Sequence, residues 1–185
     1  TALFQQIRAS EYAPEPAGEL ARADWAAGEA MPFVGRAHEL AQLADYLNRR
    51  DCRLVTIVGL GGSGKTRLAL RAAGEQGAAF ADGAYVVPLA SVQSGELIVP
   101  AIAQGVGRVL GGADDPQGQL AGHLRGKQLL LVLDNLEHLP SAARLVAALL
   151  ERAPGLTVLA TSRERLQVRG EWVLSIGGLD LPAAG

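Results

Sequence analysis

Residues 59–66 read Gly-Leu-Gly-Gly-Ser-Gly-Lys-Thr, and this stretch decides which fold the 185-residue chain can adopt. A run rich in β-branched residues precedes it (RLVTIV, 53–58), and a helical pattern follows it (65–76). The eight residues match the pattern G-x-x-x-x-G-K-S/T. Its glycines tolerate positive φ and leave successive backbone N–H groups open to an anion, which also meets the positive end of the helix dipole. The stretch therefore predicts a phosphate-binding loop between a buried strand and a helix.

Two side chains at the end of this loop have the chemistry that a phosphate chain requires. Lys65 would reach the β- and γ-phosphates as a compact positive charge, and the Thr66 hydroxyl would bind Mg²⁺. The alternative is a glycine-rich turn without a ligand. Arg67 could instead pair with an acid on the helix face. The predicted nucleotide contacts of this segment are Gly59, Gly61, Gly62, Ser63, Gly64, Lys65, Thr66 and Arg67.

A carboxylate suited to the metal ion follows another apolar run. Residues 130–133 (LLVL) read as a buried strand, and Asp134 comes directly after them. In open α/β sheets, ligands bind beyond the carboxyl ends of the strands. The alternative role for Asp134 is to cap the next turn. We predict that Thr66 and Asp134 together hold Mg²⁺.

The rest of the chain alternates apolar strands with amphipathic helices. The further strands are predicted at 84–89, 128–133, 156–160 and 172–176, and the helices at 37–50, 96–109, 116–125 and 141–152, the last capped by Ser141. Continuous apolar strands between helices indicate a parallel sheet covered on both faces. The predicted fold class is therefore α/β, with five parallel strands and helices on both faces, and with the glycine-rich loop it resembles a P-loop NTPase fold of the ASCE/AAA+ type.

The first thirty residues differ from the remainder. Residues 1–11 are compatible with a short helix, and residues 12–30 carry prolines and glycines among acids and alanines, which is typical of a linker. We expect residues 1–30 to be the tail of a preceding domain and 31–185 to be the nucleotide-binding domain.

Composition excludes several classes of protein. Cys52 is the only cysteine, and the three histidines are widely spaced, so neither a disulfide framework nor a zinc pattern is present. The longest apolar run (129–133) is far shorter than the about 20 residues that span a bilayer. The net charge of −2 argues against direct DNA binding by this part of the chain. We expect a cytoplasmic location and no membrane partner.

Two classes of nucleotide-binding protein are disfavoured by their missing signatures. A GTPase would carry Asn-Lys-x-Asp, but residues 48–51 read Asn-Arg-Arg-Asp and precede the loop. The Ser-Gly-Gly-Gln signature of transporter ATPases is absent. A small-molecule kinase with an arginine-rich lid remains open, since Arg163, Arg165 and Arg169 could form one.

Four ordered segments resemble the STAND class of signal-transduction NTPases, in particular the NB-ARC-like domains of bacterial multidomain transcriptional regulators. The segments are 33–40 (FVGRAHEL), 58–70 (VGLGGSGKTRLAL), 131–138 (LVLDNLEH) and 160–164 (ATSRE), and the resemblance extends over about 33–182. Residues 1–11 also resemble the last helix of the bacterial transcriptional activation domain (BTAD) found in BTAD/LuxR-type activators.

The resemblance implies further roles for particular residues. Val34, Gly35 and Arg36 would border the bound nucleotide, and Arg163 would sense the γ-phosphate. It also implies ATP or ADP as ligand, association with other domains of a longer regulator, and homo-oligomerisation on activation. Because the helical and winged-helix domains of that class are absent from these 185 residues, we expect a fragment of a larger protein.

The residue that would activate water is the least defined part of the site. Many ATPases carry a second acid directly after the metal-binding aspartate, but Asn135 stands there and cannot act as a base. Glu137 is the candidate substitute, and a solvated loop acid is its alternative. His138 is expected to be a packing or turn residue. We therefore expect a slow, Mg²⁺-dependent ATPase acting as a switch. A kinase or ATPase with robust turnover, or a scaffold that binds no nucleotide, is the alternative.

Overall fold

The central element is a five-stranded sheet in which all neighbouring strands are parallel. The computed structural model describes residues 35–112 and 115–177. The strands are β1 (Leu54–Val58), β2 (Ala84–Pro88), β3 (Leu129–Asp134), β4 (Leu156–Ser162) and β5 (Glu171–Ser175). Their order is β2-β3-β4-β1-β5, so β1 lies between β4 and β5. The predicted fold class is confirmed.

Within the described residues, five α-helices connect and cover these strands. They are α1 (Ala37–Leu47), α2 (Lys65–Gln76), α3 (Ile98–Gly105), α4 (Pro116–Leu124) and α5 (Ala142–Arg152), with 3₁₀ turns at Gly77–Ala79 and Gly95–Leu97. The first helix is shorter than the predicted 37–50, and the Asn48 side chain just beyond it donates to the Ala44 carbonyl at 2.8 Å. The predicted helix 96–109 also ends early, because Gly107 has a φ of 70°.

Side chains on β3 alternate between two apolar cores, one on each face of the sheet. Leu131 and its same-face neighbours pack against α3, α4 and α5. Leu130 and Val132 point to the other face, where Leu43 of α1 and Leu68 of α2 are completely buried. Each fully buried leucine contributes about 1.5–3 kcal/mol relative to its exposed state. The fully apolar sequence of β3 is therefore explained by burial on both faces.

The start of the last helix is a correction to the sequence-based prediction. Ser141 does not cap α5: its backbone is itself helical (φ −77°, ψ −14°), and its side chain makes no capping hydrogen bond. Ser141 Oγ instead packs closely against Gly95. An aspartate cap is present at α4, where Asp115 Oδ1 accepts a hydrogen bond from the Gly118 N–H at 2.9 Å and Pro116 occupies the first turn.

Several predictions concern parts of the chain that lie outside the described residues. These are the helix and linker at 1–30, and Val34. The division at residue 30 thus stays a prediction. Within 35–112 and 115–177, no helix combines the length and apolarity needed to cross a membrane.

Candidate functional site

The carboxyl ends of β1, β3 and β4 bring the predicted site residues together. The register aligns Val58 of β1 with Ser162 of β4 on one side and with Ser175 of β5 on the other. The glycine-rich loop that follows β1, residues 59–64, is therefore level with the residues that follow β4 and β5. Asp134 is the last residue of β3, next to β4 in the sheet.

The glycine-rich loop is open where a ligand could approach its backbone. Gly62 and Gly64 have φ values of 76° and 87°, and a Cβ built on either would meet no atom of the described residues within 4 Å. The Ser63 N–H donates to the Leu60 carbonyl at 3.2 Å, which closes the turn. Ser63 Oγ is buried and has no hydrogen-bond partner among the described residues. The loop thus forms an open cradle beside a buried hydroxyl that has no hydrogen-bond partner among the described residues.

Lys65 lies against the inside of this loop. Its side chain is largely buried, and its Nζ donates to the carbonyls of Gly59 at 2.7 Å and Leu60 at 2.9 Å. An ammonium group has three N–H donors, so these two bonds leave one for another acceptor. The arrangement holds a positive charge next to the cradle.

Asp134 forms a cluster of oxygen atoms with two threonines. Its Oδ1 accepts hydrogen bonds from Thr66 Oγ1 at 2.8 Å and from Thr161 Oγ1 at 2.5 Å. Thr161 Oγ1 in turn accepts the Asn135 N–H at 2.8 Å, which fixes the direction of its own proton toward the carboxylate. Sequence reasoning missed Thr161, although it lies within the segment 160–164. Hydroxyl and carboxylate oxygens are the ligands that Mg²⁺ prefers, so Thr66 and Asp134 fit the predicted metal site.

The two candidates for catalysis and sensing, Glu137 and Arg163, form an ion pair with each other. Arg163 Nε donates to Glu137 Oε1 at 3.2 Å, and Arg163 Nη2 lies 3.7 Å from the position of a Cβ at Gly61. The Glu137 side chain is only 14% exposed, whereas that of Arg163 is 66% exposed. Glu137 Oε2 is buried without a partner among the described residues. Glu137 is therefore not the solvated loop acid named as its alternative, and Arg163 is held in a salt bridge with it.

His138 connects two loops at this edge of the sheet. Its Nε2 lies 2.8 Å from the Val92 carbonyl, an acceptor, so Nε2 carries the proton and Nδ1 accepts the amide of Asn135 at 3.3 Å. Asn135 has a φ of 70°, in the left-handed region that asparagine tolerates better than most residues. His138 acts as a turn residue here.

Arg36 donates hydrogen bonds to two backbone carbonyls and to one carboxylate. It donates to the carbonyls of Ser63 at 2.9 Å and Gly177 at 2.6 Å, and to the Glu39 carboxylate at 2.8 Å. Its side chain is 7% exposed, so it is not a solvated arginine at a helix start. Arg36 joins the turn before α1, which contains Gly35, to the glycine-rich loop and to the end of β5.

The loop between β4 and β5 is organised by one carboxylate. Glu171 accepts backbone N–H groups from Leu166 at 2.7 Å and Gln167 at 2.9 Å. The loop carries three exposed arginines, of which Arg163 contacts the site; Arg165 and Arg169 form no ion pair within the described residues. Arg67 is exposed in the first turn of α2.

Residues 32–160, more than half of the chain, match the sequence model of the family described as AAA ATPase domain. A protein of Mycobacterium tuberculosis named as an HTH-type transcriptional regulator, Rv0890c, is 40% identical over 120 residues, covering 64% of this chain and 13% of that protein. The uncharacterized protein Rv0894 of the same organism is 34% identical over 150 residues, covering 80% of this chain and 38% of the relative. The chain thus spans well under half of these relatives.

Solved structures show the same fold at low sequence identity. The Cdc6 protein of Pyrobaculum aerophilum superimposes with a TM-score of 0.63 at 18% identity, covering 78% of this chain and 46% of the other. A STAND protein with a tetratricopeptide repeat sensor from Pyrococcus horikoshii gives 0.50 at 20% identity, covering 78% and 23%. These similarities establish the fold alone.

Proposed function

Because this chain belongs to the AAA ATPase domain family, we propose that it binds ATP or ADP with Mg²⁺ and serves as the nucleotide-dependent switch of a larger regulator. The observation that carries the proposal is the pairing of Thr66 Oγ1 with Asp134 Oδ1 at 2.8 Å, beside an open glycine cradle. A hydroxyl and a carboxylate brought together from two distant segments supply two ligands of an octahedral magnesium site.

Each residue of the site has a defined task in this proposal. The N–H groups of the glycine-rich loop and the start of α2 bind the phosphates, and Lys65 supplies the adjacent positive charge. Bound Mg²⁺ would neutralise charge on the phosphate oxygens. Thr66 and Asp134 are its ligands, and Thr161 orients Asp134 through the hydrogen bond to Oδ1.

Slow hydrolysis is expected because no carboxylate described near Asp134 is free to take a proton from water. Asn135 cannot accept a proton from water, and the carboxylate of Glu137 is engaged by Arg163. For Glu137 to act as a base and Arg163 as a sensor, their ion pair must first separate. We propose that a γ-phosphate recruits Arg163 from Glu137, and that loss of this phosphate allows the pair to form again. The two states of the switch then differ in whether Arg163 binds the γ-phosphate or Glu137.

The relatives named as transcriptional regulators support a place for this domain in a longer protein. We propose an NB-ARC-like STAND domain that follows a BTAD-like segment, with 1–30 as the tail of that segment and 31–185 as the nucleotide domain. Its partners would be the other domains of the regulator and, on activation, further copies of the same chain. DNA binding would belong to other segments, and the setting would be the cytoplasm without a membrane partner.

The decisive experiment measures which nucleotide the purified chain retains and how tightly it binds ATP and ADP. Calorimetry in Mg²⁺ should show binding that Lys65→Ala abolishes and that Thr66→Val and Asp134→Asn weaken about tenfold or more, the effect of losing an interaction with a charged group. Asp45→Asn is the matched control, since Asp45 is exposed on α1 away from the site.

The outcomes separate the proposal from its two competitors. Turnover on the scale of minutes with retained nucleotide supports the switch. Many turnovers per second, or phosphate passed to a small acceptor, would favour the enzyme. Absence of binding that Lys65→Ala leaves unchanged would favour a scaffold without nucleotide.

A further inference from the structure

A polar cavity opens at the edge of the sheet where the strands begin, opposite the edge that carries the glycine-rich loop. Its volume is about 370 Å³, within the range of pockets that hold small molecules. It is lined by Cys52 and Arg53, which precede β1, by Gln128 before β3 and by Gly155 before β4. Because β1 runs from Arg53 to the glycine-rich loop, the cavity lies at the opposite end of the same strand.

The side chains around this cavity carry an excess of positive charge. Arg49, Arg50 and Arg53 line it, and none of its lining residues is acidic. Asp51 compensates for one of the three, since both its oxygens bind Arg49, at 2.9 and 3.0 Å. Arg50 is exposed and forms no ion pair with any described residue. Two positive charges therefore remain without a counter-ion in the described structure.

Arg53 differs from the two exposed arginines because backbone carbonyls hold its guanidinium in place. Its guanidinium donates to the carbonyls of Leu156 at 3.1 and 3.2 Å and of Ala153 at 2.5 Å, all of them neutral acceptors. Its Nη1 makes no hydrogen bond within the described residues. Burial lowers the pKa of this guanidinium, as expected where no carboxylate offsets the loss of water. The orientation of Arg53 is thus fixed by backbone, while its charge is unpaired.

We propose that this cavity binds a small organic molecule carrying a phosphate or carboxylate group. Arg53 can donate to either oxyanion from Nη1, which makes no hydrogen bond within the described residues, and Arg50 supplies a second positive charge in the lining. Leu47 and Phe80 provide an apolar wall against which the body of such a molecule can pack. The site is independent of the nucleotide site, since it shares no residue with it.

The test is a titration of the folded 185-residue chain followed by ¹⁵N–¹H NMR, with phenyl phosphate and benzoate as probes. Benzyl alcohol, which lacks the anion, and chloride at matched ionic strength are the controls. The indole N–H of Trp172 is a local reporter, because the Arg49 guanidinium lies 5.0 Å from the centre of its ring. We expect saturable shifts for 48–53, 155–157 and Trp172, and a stronger response to one probe identifies the preferred oxyanion.

Three variants decide whether the arginines are responsible. Arg53→Gln should weaken binding about tenfold, as expected for a partly buried charged donor. Arg50→Gln should weaken it about threefold and leaves the bonds to Ala153 and Leu156 intact, so it remains informative if Arg53→Gln fails to fold. Arg71→Gln, on the exposed surface of α2, should have no effect. Shifts confined to 59–66, equal shifts with benzyl alcohol, or binding that survives both cavity variants would overturn the proposal.

Discussion

Replacing Gly59 with alanine would place a methyl carbon 2.6 Å from the carbonyl oxygen of Ile176 and 2.8 Å from Ser63 Oγ. Ordinary contact begins at 3.4 Å, so the carbonyl and the methyl must separate by 0.8 Å. The Ile176 backbone cannot move easily, because its N–H donates to the Val58 carbonyl at 2.8 Å. The carbonyl of the next residue, Gly177, also accepts a hydrogen bond from the Arg36 guanidinium. The strain therefore falls on the start of the glycine-rich loop.

The size of the effect follows from two opposing contributions. Overpacking of this kind costs about 1–3 kcal/mol. Alanine also restricts the unfolded chain, which returns about 0.4–1 kcal/mol, and Gly59 does not have a left-handed φ that alanine would oppose. We expect a net loss of about 1–2 kcal/mol in the free energy of unfolding. With a urea m-value of about 2 kcal/mol/M, the midpoint falls by roughly 0.5–1 M.

Gly61→Ala is the matched control within the same loop. Its φ is also not left-handed, and among the described residues the added methyl would meet only Arg163 Nη2, at 3.7 Å. Its urea midpoint should therefore stay unchanged or rise slightly. The methyl would nevertheless stand beside the proposed phosphate cradle, so ADP binding should weaken about tenfold. The two variants thus separate stability from ligand binding. Equal urea midpoints for Gly59→Ala and Gly61→Ala would refute the packing argument.

Four further predictions concern the rest of the chain. Arg36→Gln should lower the free energy of unfolding, measured in urea, by about 2–4 kcal/mol, because it removes the charged hydrogen bonds to Ser63 and Gly177. Arg71→Gln, which breaks an exposed ion pair with Glu75, is the control. An equal loss in the two variants would contradict the proposal that Arg36 holds these segments together. Leu131→Ala, at a fully buried position of β3, should cost about 2–5 kcal/mol in the same assay. Burial raises the pKa of Cys52 to about 11, so iodoacetamide at pH 8 should modify the thiol far more slowly in the folded chain than in urea, and equal rates would be evidence against burial. Burial lowers the pKa of His123 below its usual 6.5, so its contribution to stability is complete above pH 6.5 and is lost as the pH falls further. In His123→Gln, the urea midpoint should therefore change less between pH 6.5 and pH 5 than it does in the unmodified chain.

Local pattern was sufficient to predict the elements that carry the main site. The strand at 54–58, the glycine-rich loop and the start of α2 at Lys65 depend on neighbouring residues, whose apolar runs and backbone freedom are visible in the sequence. Asp134 was predicted for a related reason, since parallel sheets bring their carboxyl ends to one edge. The prediction that Ser141 caps α5 was wrong because its backbone is already helical. Whether a residue caps a helix or lies in its first turn depends on how the preceding loop packs.

The pairings inside the site required the tertiary structure. The hydrogen bond from Thr161 to Asp134, the ion pair of Arg163 with Glu137 and the contact of Arg36 with Ser63 each join residues that are far apart in the chain. A sequence can propose roles for such residues singly, but it does not state which of them face each other. The contacts of Arg36 with the Ser63 and Gly177 carbonyls are of this kind, and its place beside a nucleotide stays a prediction.

The sequence by itself thus determined that a glycine-rich loop lies between a strand and a helix, with a carboxylate at the end of another strand. The tertiary structure decided the strand order and register, in which Val58 is level with Ser162 and Ser175. That register sets Arg163 beside Gly61 and the Ile176 carbonyl against Gly59. The physical reason is that strand pairing depends on burying both faces of the whole sheet at once, which no single segment specifies.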